Sequence, residues 1–214
     1  NRSAPLRKTL EKVAGIHHQA SIPRYESRSL RKRMPSLASL SKDVATPTAR
    51  TQGKVALFAT CYGNRNDPGL GEDLVSVLQR NNIPVTIAEK ERCCGMPKLE
   101  LGDLASVKKA KEENIPHLAK CVDDGWDLVA LVPSCVLMFR QELPLLFPDD
   151  PEVQKVANAF FDPFEYLMLR HSEGLLDTEF VTALGSVVYH ASCHQRVQNF
   201  GPKTRDLLKL IPDT

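Results

Sequence analysis

The heptapeptide "ERCCGMP", residues 91 to 97, sets two thiols side by side, Cys93 and Cys94, and follows them with a glycine. Four more cysteines occur in the chain: Cys61, Cys121, Cys135 and Cys193. Three chemistries gather thiols in a folded protein. Disulfides suit exported chains, whereas an α/β pattern and an N-terminal stretch without a signal-like apolar core favour a reducing compartment. A structural zinc ion usually draws on tight Cys-x-x-Cys or His pairs, and no Cys-x-x-Cys occurs here. Adjacent cysteines also fit one tetrahedral ion poorly. An iron-sulfur cluster presents several irons, so neighbouring thiolates can bind different metal atoms, and Gly95 is expected to let the backbone pass close to the inorganic core. Spacing alone favours the cluster modestly and leaves zinc open.

Thiols far apart in sequence need elements that converge. "KVALFA" (54–59), "IPVTIA" (83–88), "WDLVALV" (126–132) and "SVVYHA" (186–191) are short apolar, β-branched-rich runs separated by helical patterns. This reads as an α/β chain with parallel strands joined by crossover helices. Cys61 lies two residues past the first run, Cys93 and Cys94 follow the second, Cys135 follows the third, and Cys193 lies two past the fourth. All five therefore fall at strand carboxyl ends, where open parallel sheets bind ligands. Cys121 sits in a helical stretch, "HLAKCVDDG", and reads as a packing thiol outside the site. Among the helices, Leu70, Leu74, Val77 and Leu78 share one face, and Leu104, Ile115 and Leu118 another, with Pro116 expected to kink or split the second helix. Asp162, Pro163 and Glu165 supply an N-cap, a first-turn proline and a capping-box acid. Trp126, Phe160, Phe161 and Phe164 read as core.

Charge divides the chain. Residues 1–52 hold eleven Lys or Arg against three acids, and residues 53–214 seventeen against twenty-three. The first part, with the Ser-, Pro- and Thr-rich "SLRKRMPSLASLSKDVATPTART", reads as a basic linker with little fold of its own. Its plain reading is a solvated connector; the alternative is electrostatic contact, through Arg31, Lys32 and Arg33 among others, with an anionic membrane or acidic partner. No interleaved aromatics or RNA-binding signature points to nucleic acid. The longest apolar run, near 127–139, is too short and interrupted to span a bilayer.

The chain also resembles itself. "GKVALFATCYG" (53–63) aligns with "GSVVYHASCHQ" (185–195), matching Gly53 with Gly185, Val55 with Val187, Ala59 with Ala191 and Cys61 with Cys193, and "EDLVSVL" then matches "RDLLKLI". A period of about 132 residues exceeds the solenoid range and indicates two pseudo-equivalent lobes. The expected organisation is a basic linker over 1–52, a first repeat over 53–184 and the start of a second over 185–214. On this reading the sequence is a fragment, and a second Cys-Cys-Gly is expected near about residue 225 of a longer product.

"ATCYGN", "KERCCGMP", "VPSCVLMFRQELPLLF" and "VVYHASCHQR" together resemble the CCG, or cysteine-rich, domain family. The family includes components of heterodisulfide reductase, of glycolate oxidase and of the anaerobic glycerol-3-phosphate dehydrogenases, each an iron-sulfur subunit. With the last the resemblance extends into the linker, "PLRKTLEKVAGIHHQASIPRY", and so covers nearly the whole chain. The resemblance implies that Cys61, Cys93, Cys94 and Cys135 are ligands in the first repeat and that Cys193 opens the ligand set of the second. Val132 stands where the family motif has another cysteine, leaving four thiolates in place of five; a plainer cluster of the 4Fe-4S type, or zinc at one site, becomes an alternative to the family's non-cubane cluster. His190 and His194 flank Cys193 and offer metal ligation, a proton relay to quinone or a backbone cap, whereas His17 and His18 read as solvated.

The function so implied is that of an iron-sulfur, electron-transferring subunit of a respiratory oxidoreductase. It would take electrons from a flavin-bearing dehydrogenase subunit and pass them toward a quinone or membrane anchor at the cytoplasmic face of the membrane. A catalytic thiol- or heterodisulfide-reducing subunit and a zinc-stabilised interaction module are the alternatives; visible absorbance separates zinc from iron-sulfide, and disulfide turnover separates catalysis from electron transfer.

Overall fold

The computed structural model describes residues 3–21, 23–34 and 45–214; the Ser- and Pro-rich part of the expected linker at 35–44 lies outside them. Three of the four expected strands form: β1 (Val55–Phe58), β2 (Val85–Ile87) and β3 (Asp127–Ala130). Every residue of β1 and β3 is buried, as expected for unalternating apolar runs in a parallel sheet covered on both faces. The fourth strand is the two-residue β4 (Phe160–Phe161), too short to show a period in sequence. All pairings are parallel and the order is β2-β1-β3-β4. The α/β expectation holds.

The run at 186–191 is corrected. It pairs with none of the four strands, and Val188 is fully exposed. β-branched composition reports fitness for a pleated surface, and a strand forms only where a partner edge presents one.

The described helices are α1 (Ala4–Ala14), α2 (Leu30–Arg33), α3 (Cys61–Arg65), α4 (Pro68–Arg80), α5 (Met96–Glu100), α6 (Leu104–Asp123), α7 (Pro133–Leu137), α8 (Leu143–Leu146), α9 (Pro151–Asn158), α10 (Pro163–Ser172), α11 (Cys193–Arg196) and α12 (Lys203–Leu208), with a π-helical turn, Met138–Glu142, between α7 and α8. One sheet face, through Ala56, Phe58, Leu128, Ala130 and Phe160, packs against α6, α7 and α9. The other, through Val55, Leu57, Ala59, Val129 and Phe161, packs against α2, α4 and α10. The β1-to-β2 connection and the two later ones run in opposite directions along the sheet. Placing α4 on one face and α6 and α9 on the other therefore keeps one crossover hand. The reversal falls between β1 and β3, whose carboxyl ends open the crevice.

Two helix faces differ from expectation. In α4 the buried positions are Pro68, Gly71, Val75 and Leu78, while Leu70 and Val77 are half exposed and line an open apolar groove with Leu74, Phe164, Leu176 and Phe180. In α6 Ile115 and Leu118 are buried but Leu104 is exposed, and the helix is not split at Pro116. At the start of α10 the Asp162 carboxylate accepts from the Phe164 and Glu165 amides, as expected of an N-cap. Glu165 does not close a capping box; it is buried and paired with Arg140, whose Nη2 lies 3.0 Å from its Oε1.

The basic N-terminal segment is more than a solvated connector. Helix α1 buries nothing, but Leu30 is fully buried against β1 and α4, so close to Gly71 that a Cβ there would lie 2.3 Å from Leu30 Cδ2. Arg31 Nη2 lies 2.9 Å from Glu91 Oε1, and Arg33 reaches Glu26 and Glu72 at 3.2 Å each. These two cations neutralise internal acids; Lys32 alone of the three is exposed. Further on, the buried Asp127 carboxylate accepts from Gln52 N at 2.7 Å, Gly53 N at 3.1 Å and Tyr166 Oη at 3.0 Å, fixing the entry into β1. No helix among the described residues is long and apolar enough to cross a membrane.

Candidate metal centre

Cys61 is the first residue of α3. Thr60 before it holds φ 61 and ψ 162, an uncommon conformation for a β-branched residue, and its Oγ1 accepts the Gly63 amide at 3.0 Å. The turn from strand to helix is thus made in one strained step, which brings Cys61 back over the sheet edge.

Cys93 and Cys94 lie in the loop between β2 and α5, held from two sides. Glu91 Oε2 accepts the Ala59 amide at 2.8 Å, tying the loop to the end of β1. Burial pushes the Glu91 carboxyl above the usual range, with Arg31 opposing. From the other side Asn114, buried within α6, accepts Arg92 N at 2.8 Å and donates to Cys93 O at 3.1 Å. Gly95 turns the chain with φ 98. A Cβ there would meet Ala110 Cβ at 3.4 Å and Met138 Cε at 3.5 Å, ordinary contact distances, so what calls for glycine here is the left-handed turn. Cys135 sits in α7, buried, behind Pro133 in the first turn.

The four thiols form a run. Neighbouring thiols sense one another in succession, Cys61 with Cys93, Cys93 with Cys94, and Cys94 with Cys135. Each link raises the cost of a thiolate on one of its partners, while Cys61 eases Cys93 and Cys93 eases Cys94. Burial, then Cys93, pushes the Cys61 thiol up; the Cys94 thiol, then burial, pushes Cys93 far up; Cys135 and burial do the same to Cys94. Backbone amides work the other way: Tyr62 N–H serves Cys61, Gly95 N–H serves Cys93 and Met96 N–H serves Cys94. Such a set keeps its protons when alone and yields them to a cation, which binds thiolates and releases protons.

Four thiolates around one zinc at about 2.3 Å would stand about 3.8 Å from one another on every edge. Among the described residues the set of three such ligand atoms lying mutually within 4.8 Å is Glu11, His17 and His18, not the cysteines. Four thiolates are a donor set that both structural zinc and iron-sulfur clusters take.

Of the other expected residues, Cys193 is exposed at the start of α11, and no side-chain interaction links it to the four thiols among the described residues. Its surroundings repeat those of Cys61 locally: Ser192 caps α11 by accepting the Gln195 amide, as Thr60 caps α3. The segment docks on α7, where Gln198 Nε2 donates to Pro133 O at 3.1 Å, and His194 Nε2 lies 3.4 Å from Glu100 Oε1 on α5. His190 is exposed. Cys121 is half-buried in α6; burial and Asp124 push its thiol up, so its neighbours are not the other cysteines. Val132 packs on the core beside α7. Sequence reasoning missed Asn114, Glu91 and Arg31. A buried asparagine amid α6 was the readable signal, since asparagine is a poor helix-interior residue.

Residues 55–140 match the family model described as CCG, a cysteine-rich domain, and these residues carry the four gathered thiols. That segment is a CCG cysteine-rich domain, as the motifs indicated. The subunit designated C of the anaerobic glycerol-3-phosphate dehydrogenase of Escherichia coli K12 is 29% identical over 213 residues, covering 97% of this chain and 50% of its own length. Lactate utilization protein A of Bacillus cytotoxicus is 31% identical over 146 residues (66% of this chain, 57% of its own), and that of Shouchella clausii 34% over 142 residues (65% and 57%). The chain spans about half the length of the curated relatives it matches. No solved structure matches it.

Proposed function

We propose that Cys61, Cys93, Cys94 and Cys135 hold one iron-sulfur cluster of the 4Fe-4S type. The chain would act as the electron-transferring part of a respiratory oxidoreductase, between a flavin-bearing dehydrogenase subunit and a quinone or membrane anchor at the cytoplasmic face. The observation that carries this reading is the run of four thiols at the point where the sheet order reverses. Likeness to a dehydrogenase subunit and to lactate utilization proteins supports the redox setting.

The cluster, when bound, supplies one-electron storage. The chain's residues do the rest. The four thiols give up their protons on binding. The amides of Tyr62, Gly95 and Met96 donate to sulfur, which stabilises negative charge and raises the reduction potential. Buried Cys94 and Cys135 keep one side of the site from water, while exposed Cys61 and Cys93 leave the other open to a redox partner. Cys193 lies outside this set and is proposed to begin the ligand set of a second repeat starting at residue 185.

The test is anaerobic purification followed by iron, acid-labile sulfide and zinc analysis, with visible and electron paramagnetic resonance spectra before and after dithionite. Iron and sulfide in near-equal amounts, with absorbance that bleaches on reduction, is the expected result. Zinc without sulfide would replace this reading with the zinc-stabilised module.

A further inference from the structure

Helix α1 ends on a cluster that the cysteine site does not use. Glu11 lies in its last turns, Gly15 caps it in the left-handed conformation at φ 67, and the chain turns straight into His17 and His18. His18 Nδ1 stands 2.8 Å from Glu11 Oε2 and His17 Nε2 stands 3.7 Å from Glu11 Oε1, with the two imidazole centroids 4.5 Å apart. One ligand atom from each residue lies within 4.8 Å of the other two.

We infer that Glu11, His17 and His18 form a binding site for a borderline divalent transition-metal cation, zinc being the representative, distinct from the cysteine centre. Two imidazoles and a carboxylate are a donor set such ions take, with a fourth position left to water. The spacing suits it. Ligand bonds of about 2.1 Å at tetrahedral angles put donor atoms about 3.4 Å apart, and one atom from each of the three residues already lies within 4.8 Å of the other two, so small side-chain rotations close the set.

The cluster is held by more than its own contacts. Arg7 donates through Nε to His18 O at 2.8 Å and also to Ala20 O, and Ala20 N donates to His17 O at 2.9 Å. These bonds close residues 7–20 into a local unit that fixes where both rings leave the backbone. Entry of the ion replaces the proton shared by His18 Nδ1 and Glu11 Oε2. It also gives up the 3.3 Å contact from Gln19 N to His17 Nδ1, because that nitrogen carries the ring proton once Nε2 binds metal. An ordinary helix-terminal ion pair needs His18 and Glu11 alone; recruitment of His17 distinguishes the two.

The experiment uses the full chain, isotopically labelled, with the imidazole resonances of its six histidines followed during addition of zinc chloride. The expected result is that His17 and His18 shift together and saturate at one equivalent per chain beyond any taken by the cysteines. Glu11→Gln should weaken this binding by about tenfold or more, and His18→Ala should abolish it. Helix α1 buries no residue, so these variants leave the core intact, with circular dichroism as the check. Resonances of His17 and His18 that do not move in excess zinc, or that titrate independently, would overturn the proposal. So would unchanged affinity in Glu11→Gln. None of these readings depends on whether the cysteines hold iron.

Discussion

Asn114 Nδ2 donates to the carbonyl oxygen of Cys93 over 3.1 Å, so a residue in the middle of α6 sets the backbone of the doubled cysteine. Its Oδ1 accepts the Arg92 amide at 2.8 Å, and both partners would lose a part-buried bond together. Replacing it with leucine, which keeps the branching but is larger and cannot hydrogen-bond, should cost about 1–3 kcal/mol by leaving polar groups unpaired and crowding the site. It should also lower metal content per chain, because Cys93 is no longer aimed. Urea denaturation and iron analysis of Asn114→Leu check the two effects separately; a normal metal content would mean that the loop needs no support from α6.

Leu30 tests whether the basic segment is part of the domain. Fully buried against β1 and α4, it should cost about 2–5 kcal/mol on substitution by alanine. A solvated connector predicts no change in the denaturation midpoint.

The arginines make a sharper version of that test. Arg31→Glu places a second acid beside the buried Glu91, so it should destabilise the chain in the absence of any membrane, and salt should relieve little of the loss. Lys32→Glu, at an exposed position, should be nearly silent for stability. If instead both variants fold equally well and both lose binding to anionic vesicles at low salt, the segment's charge serves an external surface.

Much of the fold was legible because parallel strands buried on both faces read as unbroken apolar runs, and β1, β2 and β3 stand where those runs do. The run at 186–191 looked the same, yet whether a strand pairs is a tertiary fact that composition does not carry. Conversely, Phe160 and Phe161 form a strand of two residues, below the length at which a pattern exists. At the site, Cys61, Cys93, Cys94 and Cys135 were readable from their positions after strands. The residues that aim them were not: Asn114 looked like one polar residue in a helix, and Arg31 like one charge in a basic run, because their partners lie 21 and 60 positions away.

Asp127 gives the pH dependence a definite sign. Burial pushes its carboxyl up to about 6, against the hydrogen bonds from Tyr166, Gln52 and Gly53. Its folded value exceeds the unfolded one, so the native state binds the extra proton between about pH 4 and about pH 6. This group's contribution to stability is therefore present below that window and lost as pH rises through it, by on the order of 1–3 kcal/mol. The stability difference between wild type and Asp127→Asn, measured by urea denaturation, should accordingly shift in favour of the variant from pH 4 to pH 6.5. A difference constant with pH would show that the carboxyl titrates normally.

The central claim is that four thiols at one sheet edge form a single metal centre, and a set of serine substitutions measures it most directly. Cys61→Ser, Cys93→Ser, Cys94→Ser, Cys135→Ser and, as controls, Cys121→Ser and Cys193→Ser would each be purified anaerobically and scored for iron and sulfide per chain. Loss or strong reduction at each of the first four, with Cys121→Ser and Cys193→Ser retaining their content, is the predicted pattern. Full iron and sulfide in Cys93→Ser or Cys94→Ser would contradict it, because the doubled cysteine would then not be a shared ligand pair.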